Sequence, residues 1–337
     1  MARVSKAPTI NTVAAAAGVA ASTVSRALSN PGRVNPVTRR RIEEIAAELG
    51  YARRSHEQTL MPGPLKTIAV FVADITNPFY FDVIRGTQQQ LRAAGYAQLL
   101  VDTEESGELE ADMVNRLRGS FDGVILAASR LSDKKLSALG ESVPLVVINR
   151  KVKGVPGVVI DTPTGVVHAL EHLVSLGHRD IVYVAGPARS WVNEVRWRAL
   201  RQAAAEHDLE VRRLGPFTQN RMAGPAAADA VLNSGATACI AYNDLVAIGI
   251  LGRFRERGID VPGRISVVGC DDIFGADFCH PPLTTLTAPI EQAGRVAVSM
   301  LLGVLERRPG GRTQVTLPTH LTVRGSTGPV AGSVARR

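Results

Sequence analysis

Two histidines and a glutamate on one predicted helix are the first residues whose spacing could support catalysis. His168, Glu171 and His172 match the HxxEH pattern of inverted zincins, in which two histidines one turn apart hold zinc and the glutamate activates water. A catalytic zinc also needs a third protein ligand and an open cleft. This helix instead runs directly into the apolar stretch LVSLGHRDIVYVAGP, so we interpret the match as a chance occurrence on a helix face.

Short polar side chains follow four apolar runs that are predicted to be strands. Ligands of parallel sheets lie outside the carboxyl ends of the strands, so these residues are candidates for one site. Carboxylates and amides there suit a polyhydroxylated ligand, because they accept from and donate to vicinal hydroxyls. Each one alone is better explained as a turn residue. They are Asp74 after TIAVFVA, Asn149 after VPLVVI, Asn243 and Asp244 after CIAY, and Asp271 and Asp272 after ISVVGC.

The other catalytic signals are weak. The pair Asp271-Asp272 lacks a partnered nucleophile for acid–base work, and no GxGxxG, GxxxxGK[ST] or GxSxG motif occurs at a strand-to-helix turn. Cys239, Cys270 and Cys279 are odd in number and lack CxxC spacing, which favours neither disulfides nor a zinc–thiolate site. We therefore expect no enzyme activity, no metal and no cofactor.

The N-terminal residues suggest contact with nucleic acid. Apolar residues recur at helical spacing in three blocks, over residues 10–17, 21–28 and 36–49. Ala14, Gly18 and Val24 supply the small crossing residue, the turn glycine and the branched core residue that a helix-turn-helix needs. The exposed side of the second helix would carry side chains that reach bases and phosphates in a major groove. These are Ser22, Thr23, Ser25 and Arg26.

The charge distribution agrees with a polyanionic partner. Residues 1–60 contain nine Lys or Arg and four Glu, so they carry +5 of the formal net charge of +8. A basic segment of this kind suits nucleic acid, although charge alone is better explained by a solvated basic face. No apolar region follows the N-terminal basic residues, and no apolar run approaches the length of a membrane span. We expect a cytoplasmic protein with no membrane contact.

From Thr67 onward, short apolar runs alternate with helical stretches, which predicts parallel sheets flanked by helices. The grouping of the strands indicates two similar lobes. The predicted strands are 67–73, 97–101, 123–127, 145–148, 157–160, 181–185, 237–242 and 265–270.

Residues 9–51 closely resemble the DNA-binding domain of the lactose and purine repressor family, above all in GVAASTVSRALSNP and the closing ELGY. The resemblance implies a repressor that binds a palindromic operator as a homodimer. By position, Ala21, Ser22 and Arg26 would read bases, while Thr9, Thr23, Ser25 and Asn30 would support phosphate contacts. Arg26 is the main candidate for reading a guanine, with a phosphate contact as the alternative.

The family also carries a hinge helix that folds on operator DNA and wedges a leucine into the minor groove. Leu60 falls at that position in the segment 53–65. Glu57-Gln58 replaces the usual Ala-Arg, and Arg53-Arg54 replaces the usual Pro-Asn. A plain linker is the alternative, since Pro62-Gly63-Pro64 follows immediately.

The resemblance continues through VADITNPFYFDVIRG, FDGVIL, AYNDLVAIG and ISVVGCDDI to LPTHLTVRGST. It implies an effector core like periplasmic sugar-binding proteins, with the ligand between two lobes. Two departures concern the ligand: Asn149 replaces a frequent acid, and Ala288 stands where many members have Gln. We favour a sugar effector, with a purine or a phosphorylated metabolite as the alternative. The effector positions carried over are Asp74, Asn77, Phe79, Phe81, Asn149, Arg150, Arg196, Phe217, Asn243 and Asp271.

The predicted architecture is an N-terminal all-α helix-turn-helix domain followed by an α/β core of two doubly wound lobes. A solute-binding protein and a zinc hydrolase are the remaining alternatives. The C-terminal tail has no leucine heptads, so we expect a dimer that pairs through residues 80–94 and 108–118. The predicted divisions are 1–52 (DNA binding), 53–65 (hinge), 66–162 with 291–321 (first lobe), 163–290 with 322–330 (second lobe) and 331–337 (disordered tail).

Overall fold

The structure, a computed structural model, describes residues 9–29, 34–49, 64–306 and 313–330. Its contacts divide the chain into two units, Met1–Gly63 and Pro64–Arg337. The predicted contacts Asn30 and Leu60, the hinge residues before Pro64 and the tail 331–337 lie outside the described residues. Among the described helices, none is long and apolar enough to cross a membrane.

The N-terminal unit contains the helix-turn-helix that the sequence predicted. Its helices are α1 (Ile10–Ala17), α2 (Ala21–Ser29) and α3 (Pro36–Glu48). Thr9 begins α1, because its hydroxyl accepts from the backbone N of Thr12 at 3.3 Å. Gly18 ends α1 with φ 67°, a left-handed conformation that favours glycine. The three helices share a small apolar core of Val13, Ala14, Ala17, Val24, Ala27, Ile42 and Ala46.

The second unit alternates strands and helices, as the sequence pattern indicated. Its elements are β1 (Thr67–Val72), α4 (Phe79–Ala93), β2 (Ala97–Asp102), α5 (Gly107–Arg116), β3 (Gly123–Ala127), α6 (Asp133–Ser142), β4 (Leu145–Ile148), β5 (Gly157–Ile160), α7 (Thr162–Ser175), β6 (Ile181–Val184), α8 (Trp191–Glu206), β7 (Arg212–Leu214), α9 (Gly224–Asn233), β8 (Ala238–Ala241), α10 (Asp244–Glu256), β9 (Ser266–Cys270), β10 (Thr284–Thr287), α11 (Ile290–Leu305), β11 (Gln314–Leu317) and β12 (His320–Thr322).

The strands form two six-stranded sheets, which confirms the prediction of two doubly wound lobes. The first lobe has the strand order β11-β5-β4-β3-β1-β2, and every neighbouring pair is parallel. The second has the order β12-β10-β9-β8-β6-β7, and only its β10–β12 pair is antiparallel. Apolar clusters on both faces of each sheet bury it against helices.

Four strands escaped the sequence pattern: β7, β10, β11 and β12. They are three or four residues long, and their sequences, RRL, TTLT, QVTL and HLT, are rich in polar residues. A short polar strand has too few alternating apolar positions to be distinguished from a loop. β12 belongs to the second sheet, so the last crossing between the lobes lies between Leu317 and His320.

Glycines bring α4 and α11 into close contact on the first lobe. A Cβ atom on Gly86 would overlap the backbone carbonyl oxygen of Glu291. A Cβ atom on Gly294, on the opposite helix, would lie 2.6 Å from the carbonyl oxygen of Val83. The two helices therefore cover the buried face of the sheet with their backbones nearly in contact.

Replacement of Gly86 by alanine should separate these helices and destabilise the core. Because the atom in the way is a backbone carbonyl, we expect Gly86→Ala to cost about 1–3 kcal/mol of unfolding free energy. Gly303→Ala on α11 is the matched control, since a Cβ there meets no atom within 4 Å. The control should be neutral or slightly stabilising. Urea unfolding of both variants checks this, and equal midpoints would contradict it.

Candidate functional site

In the N-terminal unit, α2 separates a buried face from an exposed one. Val24 and Ala27 are buried in the three-helix core, whereas Ser22 and Arg26 are exposed. A helix that is anchored on one side can present the other side to a major groove. The exposed face of α2 therefore has the chemistry of a DNA-reading surface.

The other residues of this unit that are predicted to contact DNA differ in how exposed they are. Ala21 and Thr23 on α2 are half-buried, and Ser25 is exposed. Thr9 is exposed but its hydroxyl caps α1, with Thr12 Oγ1 2.8 Å away. A phosphate near Thr9 would thus meet the amino end of a helix as well as a hydroxyl.

In the second unit, the carboxyl ends of strands from both sheets meet around a small inner cavity of about 30 Å³. A deeper pocket of about 10 Å³ shares Phe79, Asn149, Arg196 and Asp271 with it. The predicted residues that line the inner cavity are Asn77, Phe79, Asn149, Arg196, Asn243 and Asp271. Tertiary structure thus brings together six residues, of which Asn77 and Asp271 are 194 positions apart in the sequence.

Arg196 is the charged centre of this cavity. Its side chain on α8 is buried, with 4% of its surface exposed. Its Nη1 donates to the carbonyl oxygen of Tyr242 at 2.5 Å, and its Nη2 lies 3.6 Å from Asp271 Oδ1. The guanidinium also lies 5.3 Å from the centre of the Tyr242 ring. Its Nε is buried without a hydrogen-bond partner in the described residues, so Arg196 keeps an unused donor.

Asp271 holds its carboxyl in the cavity at a conformational cost. Its φ of 118° lies in a region that favours glycine. Burial raises the pKa of Asp271 to about 7, although Arg196 opposes the shift. A carboxyl with this pKa accepts hydrogen bonds when ionised and donates one when protonated.

The amide side chains fix the cavity wall. Asn243 begins α10, since its Oδ1 accepts from Val246 N at 3.0 Å, and its Nδ2 donates to Gln219 O at 2.7 Å. Asn149 adopts a φ of 55°, and its Oδ1 accepts from Ile160 N at 3.1 Å. Its Nδ2 makes no hydrogen bond among the described residues, which leaves a donor for a ligand at the cavity.

Behind this wall, Asp244 joins strand β10 to the loop after β9 in the second lobe. The buried carboxylate accepts from Thr285 Oγ1 at 2.6 Å and from Ile273 N at 2.9 Å. Burial raises its pKa to about 6. Asp244 is thus part of the scaffold that holds the β9 loop, and it does not line the inner cavity.

Four of the predicted effector residues lie away from the inner cavity. Phe81 on α4 is 47% exposed, because it faces away from the sheet. Arg150 is paired with Asp133 at 2.7 Å and lines a separate cavity. Phe217 is half-buried against the apolar cluster of the second lobe. Asp74 lines an outer chamber of about 420 Å³, and its Oδ1 accepts from the Thr76 hydroxyl at 2.6 Å.

Sequence reasoning missed several residues of the cleft. Tyr80, Tyr242 and Gln219 line the inner cavity, and Arg130 and Glu105 line the outer chamber. Tyr242 stood beside Asn243 at a predicted strand end and could have been found by the same rule. Arg130 was not predicted because it does not follow β3 directly. Ala128 and Ser129 lie between the end of the strand and Arg130.

The HxxEH stretch has a structural role. His172 Nε2 lies 2.9 Å from Thr327 Oγ1, which joins α7 to the last described segment of the chain. Burial lowers the pKa of His172. The described residues contain no group of three His, Cys, Asp or Glu side chains arranged to hold a metal ion. This geometry gives no support to a zinc site.

A helix-turn-helix joined to a two-lobed core with a polar cleft defines the class of ligand-responsive DNA-binding regulators. The comparisons identify the family. Residues 9–54 match the lacI family of bacterial regulatory proteins, and residues 170–327 match the periplasmic binding protein-like domain. The HTH-type transcriptional repressor CytR of Escherichia coli K12 is 32% identical over 331 residues, covering 95% of this chain and 96% of that one. The chain therefore belongs to the lacI family of bacterial regulatory proteins.

Solved structures agree with this assignment. The transcriptional regulator CelR in complex with cellobiose is 30% identical, with a TM-score of 0.70, and covers 95% of this chain and 99% of that one. The lac repressor dimer bound to operator and the anti-inducer ONPF is 25% identical, with a TM-score of 0.69, and covers 96% and 100%. The chain is thus a DNA-binding transcription regulator and not an enzyme.

The raised pKa of Asp271 predicts a pH dependence of stability. A carboxyl whose pKa is higher in the folded state than in the unfolded state favours folding at low pH, and this contribution is lost as the pH rises toward 7. Wild type should therefore lose more stability than Asp271→Asn when the pH rises from about 5 to about 8.

Melting temperatures of the two proteins across this range check the prediction. The half-buried His172 and the buried His178 have lowered pKa values and shift stability in the opposite direction. They are the same in both proteins, so the difference between the two curves isolates Asp271. Parallel curves would show that Asp271 titrates with an ordinary pKa.

Proposed function

We propose that this regulator is a cytoplasmic repressor that binds a palindromic operator as a homodimer and is controlled by a sugar in the cleft between its lobes. The observation that carries the effector part is the inner cavity, where Arg196, Asn149 and Asp271 converge from both sheets. The solved lac repressor dimer bound to operator supports the proposed DNA binding as a dimer. The solved complex of CelR with cellobiose supports a sugar as the effector.

The DNA-binding part rests on α2. Its exposed Ser22 and Arg26 would reach base edges, while Thr9, Thr23, Ser25 and Asn30 would hold the phosphate backbone. Leu60 in the hinge segment would enter the minor groove at the dimer centre. Ala21 offers a methyl group for contact with thymine.

The effector part rests on hydrogen-bonding capacity. The unused Nε of Arg196 and the Nδ2 of Asn149 are donors, and the Asp271 carboxylate is an acceptor when ionised, so vicinal hydroxyls of a sugar would satisfy all three. Arg150, the candidate for an anionic group, is instead engaged by Asp133. This pairing favours a neutral sugar over a phosphorylated metabolite.

Control of DNA binding would follow from a population shift. An effector that binds one arrangement of the lobes better than another shifts the equilibrium by its difference in affinity. The first lobes of the two subunits would then change their relative orientation, and with it the spacing of the hinge segments on DNA. By thermodynamic linkage, binding of DNA must change the affinity for the effector by the same factor by which the effector changes the affinity for DNA.

Replacement of Arg26 tests the DNA-reading surface. We expect Arg26→Ala to weaken binding to a duplex selected by the wild-type protein from a random pool by about tenfold to a hundredfold. Arg257→Ala, which removes an exposed arginine paired with Asp229 in the second lobe, is the matched control. Fluorescence anisotropy at several salt concentrations measures both.

The salt series also separates the two roles open to Arg26. A base contact should relax sequence preference at one position, whereas a phosphate contact should weaken all sequences and lower the salt slope by about one. If Arg26→Ala binds like the control, α2 is not the reading helix in the way proposed.

A thermal-shift screen tests the effector. Purified protein is heated with monosaccharides, disaccharides, polyols, sugar phosphates and purines, because a ligand of the folded state raises the melting temperature. A sugar should give a saturable shift that Arg196→Met removes. Arg253→Met, at an ion pair with Asp229 on the second lobe, should retain it. If only purines or sugar phosphates raise the melting temperature, the cavity remains the proposed effector site but the proposed effector is no longer a sugar.

A further inference from the structure

Asp122 binds the chain at the point where it enters the first lobe. Its Oδ1 accepts from the backbone N of Leu65 at 2.8 Å, and its Oδ2 accepts from the backbone N of Thr67 at 3.3 Å. Asp122 also donates its own backbone N to the carbonyl oxygen of Thr67 at 2.8 Å. Three hydrogen bonds, two of them to a carboxylate, thus hold residues that lie 55 and 57 positions earlier in the sequence. We call Leu65, Lys66 and Thr67 the entry segment.

The entry segment makes further contacts with the same lobe. The carbonyl oxygen of Lys66 accepts from the backbone N of Ala97 at 2.7 Å, and the ammonium of Lys66 lies 4.5 Å from the centre of the Tyr96 ring. Lys66 adopts a φ of 55°, which a residue with a side chain keeps only where its surroundings hold it. The conformation of the entry segment is therefore set by its contacts with the lobe.

The entry segment lies at the opposite end of the first sheet from the inner cavity. Thr67 begins β1, and Asp122 directly precedes β3, the parallel neighbour of β1, in which Gly123 pairs with Ile68. The amino ends of these parallel strands share one edge of the sheet, whereas the inner cavity lies at carboxyl ends. The N-terminal unit ends at Gly63, so its covalent connection to the lobe passes through the entry segment.

The spacing of an operator makes the position of the entry segment important. The two half-sites of a palindrome lie at a fixed distance, so a dimer must present its two DNA-reading helices at that distance. One base pair occupies about 3.4 Å along the duplex, and one free residue adds at most about 3.6 Å of reach. Release of three residues would therefore lengthen the linker of each subunit by roughly three base pairs.

We propose that Asp122 is a positioning residue for operator recognition, which fixes where the linker joins the first lobe and thereby sets the half-site spacing that the dimer accepts. The inference rests on the function proposed above, in which a homodimer binds a palindromic operator. A wrongly spaced operator is bound only if the DNA is distorted or the entry segment detaches. The penalty that this contact imposes on wrong spacing therefore cannot exceed the free energy that holds the segment on the lobe.

The first experiment measures operator affinity as a function of spacing. The palindromic duplex selected by the wild-type protein is compared with duplexes that carry one or two base pairs inserted or deleted at its centre. Asp122→Ala removes both carboxylate acceptors, and Asp122→Asn keeps one oxygen. Asp102→Ala is the matched control. This half-buried aspartate of the first lobe also accepts from two backbone N–H groups, those of Ile75 and Glu104 at 3.3 and 3.1 Å, but at the carboxyl end of β2.

Wild type should bind the selected spacing most tightly. Asp122→Ala should reduce the ratio between the affinities for the selected and the altered spacings by about threefold to tenfold, which corresponds to the loss of one hydrogen bond. Asp122→Asn should reduce this ratio less, and Asp102→Ala should keep it.

A wild-type ratio in Asp122→Ala, with or without an equal loss of affinity on every duplex, would overturn the inference, because damage to the fold lowers the active fraction without changing the ratio. Melting temperatures show whether each variant is folded. If Asp122→Ala does not fold, the ratio of Asp122→Asn decides.

The second experiment measures the contact without DNA. Hydrogen exchange of the Leu65 and Thr67 amides, resolved by mass spectrometry with electron-transfer fragmentation, should be about tenfold faster in Asp122→Ala. Asp102→Ala should instead accelerate exchange at its own two partners. Unchanged rates at Leu65 and Thr67 in Asp122→Ala would overturn the inference even where the wild type binds its operator. If wild type prefers no spacing, the proposed operator binding fails and the positioning role fails with it, while the exchange rates still report whether Asp122 holds the segment.

Discussion

The core of this protein depends on keeping a guanidinium charge inside a closed cleft. Arg196 is buried, and a buried charge is tolerated only where hydrogen bonds and an opposite charge compensate it. The Tyr242 carbonyl and Asp271 provide that compensation. Both follow strands of the second sheet, so α8 and the ends of β8 and β9 must keep their mutual positions. The same requirement explains why Asp271 adopts a backbone conformation that favours glycine.

Two separate sheets make this cleft adjustable. Three of the four apolar clusters in this unit lie within a single lobe. Ile273 of the second lobe packs in the first-lobe cluster, and polar contacts such as that between Gln219 and Glu105 also join the lobes. Packed layers resist small deformations, whereas two packed bodies can rotate about the strands that connect them. A regulator of the lacI family with this construction can therefore couple a local change in hydrogen bonding to the orientation of a whole lobe.

The sequence predicted the fold more fully than the site. Long apolar strands and the α2 pattern were visible because burial repeats with a fixed period. β7 and β12 were missed because each is three residues long with a single leucine, which is too short to show a period. Among site residues, the strand-end rule found Asn149 and Asp271. Arg150, one residue further along, was carried over from the family resemblance, but its side chain is paired with Asp133.

By itself, the sequence determined the classes of chemistry: a basic helix-turn-helix, two lobes of parallel strands and polar residues at their ends. Local propensity and hydrophobic period are properties of neighbouring residues, so they can be read along the chain. Only the tertiary structure decided which polar side chains meet. Gln219 reaches Glu105 across 114 positions, and no local pattern encodes such a pair, because its geometry depends on how two independently packed lobes approach each other.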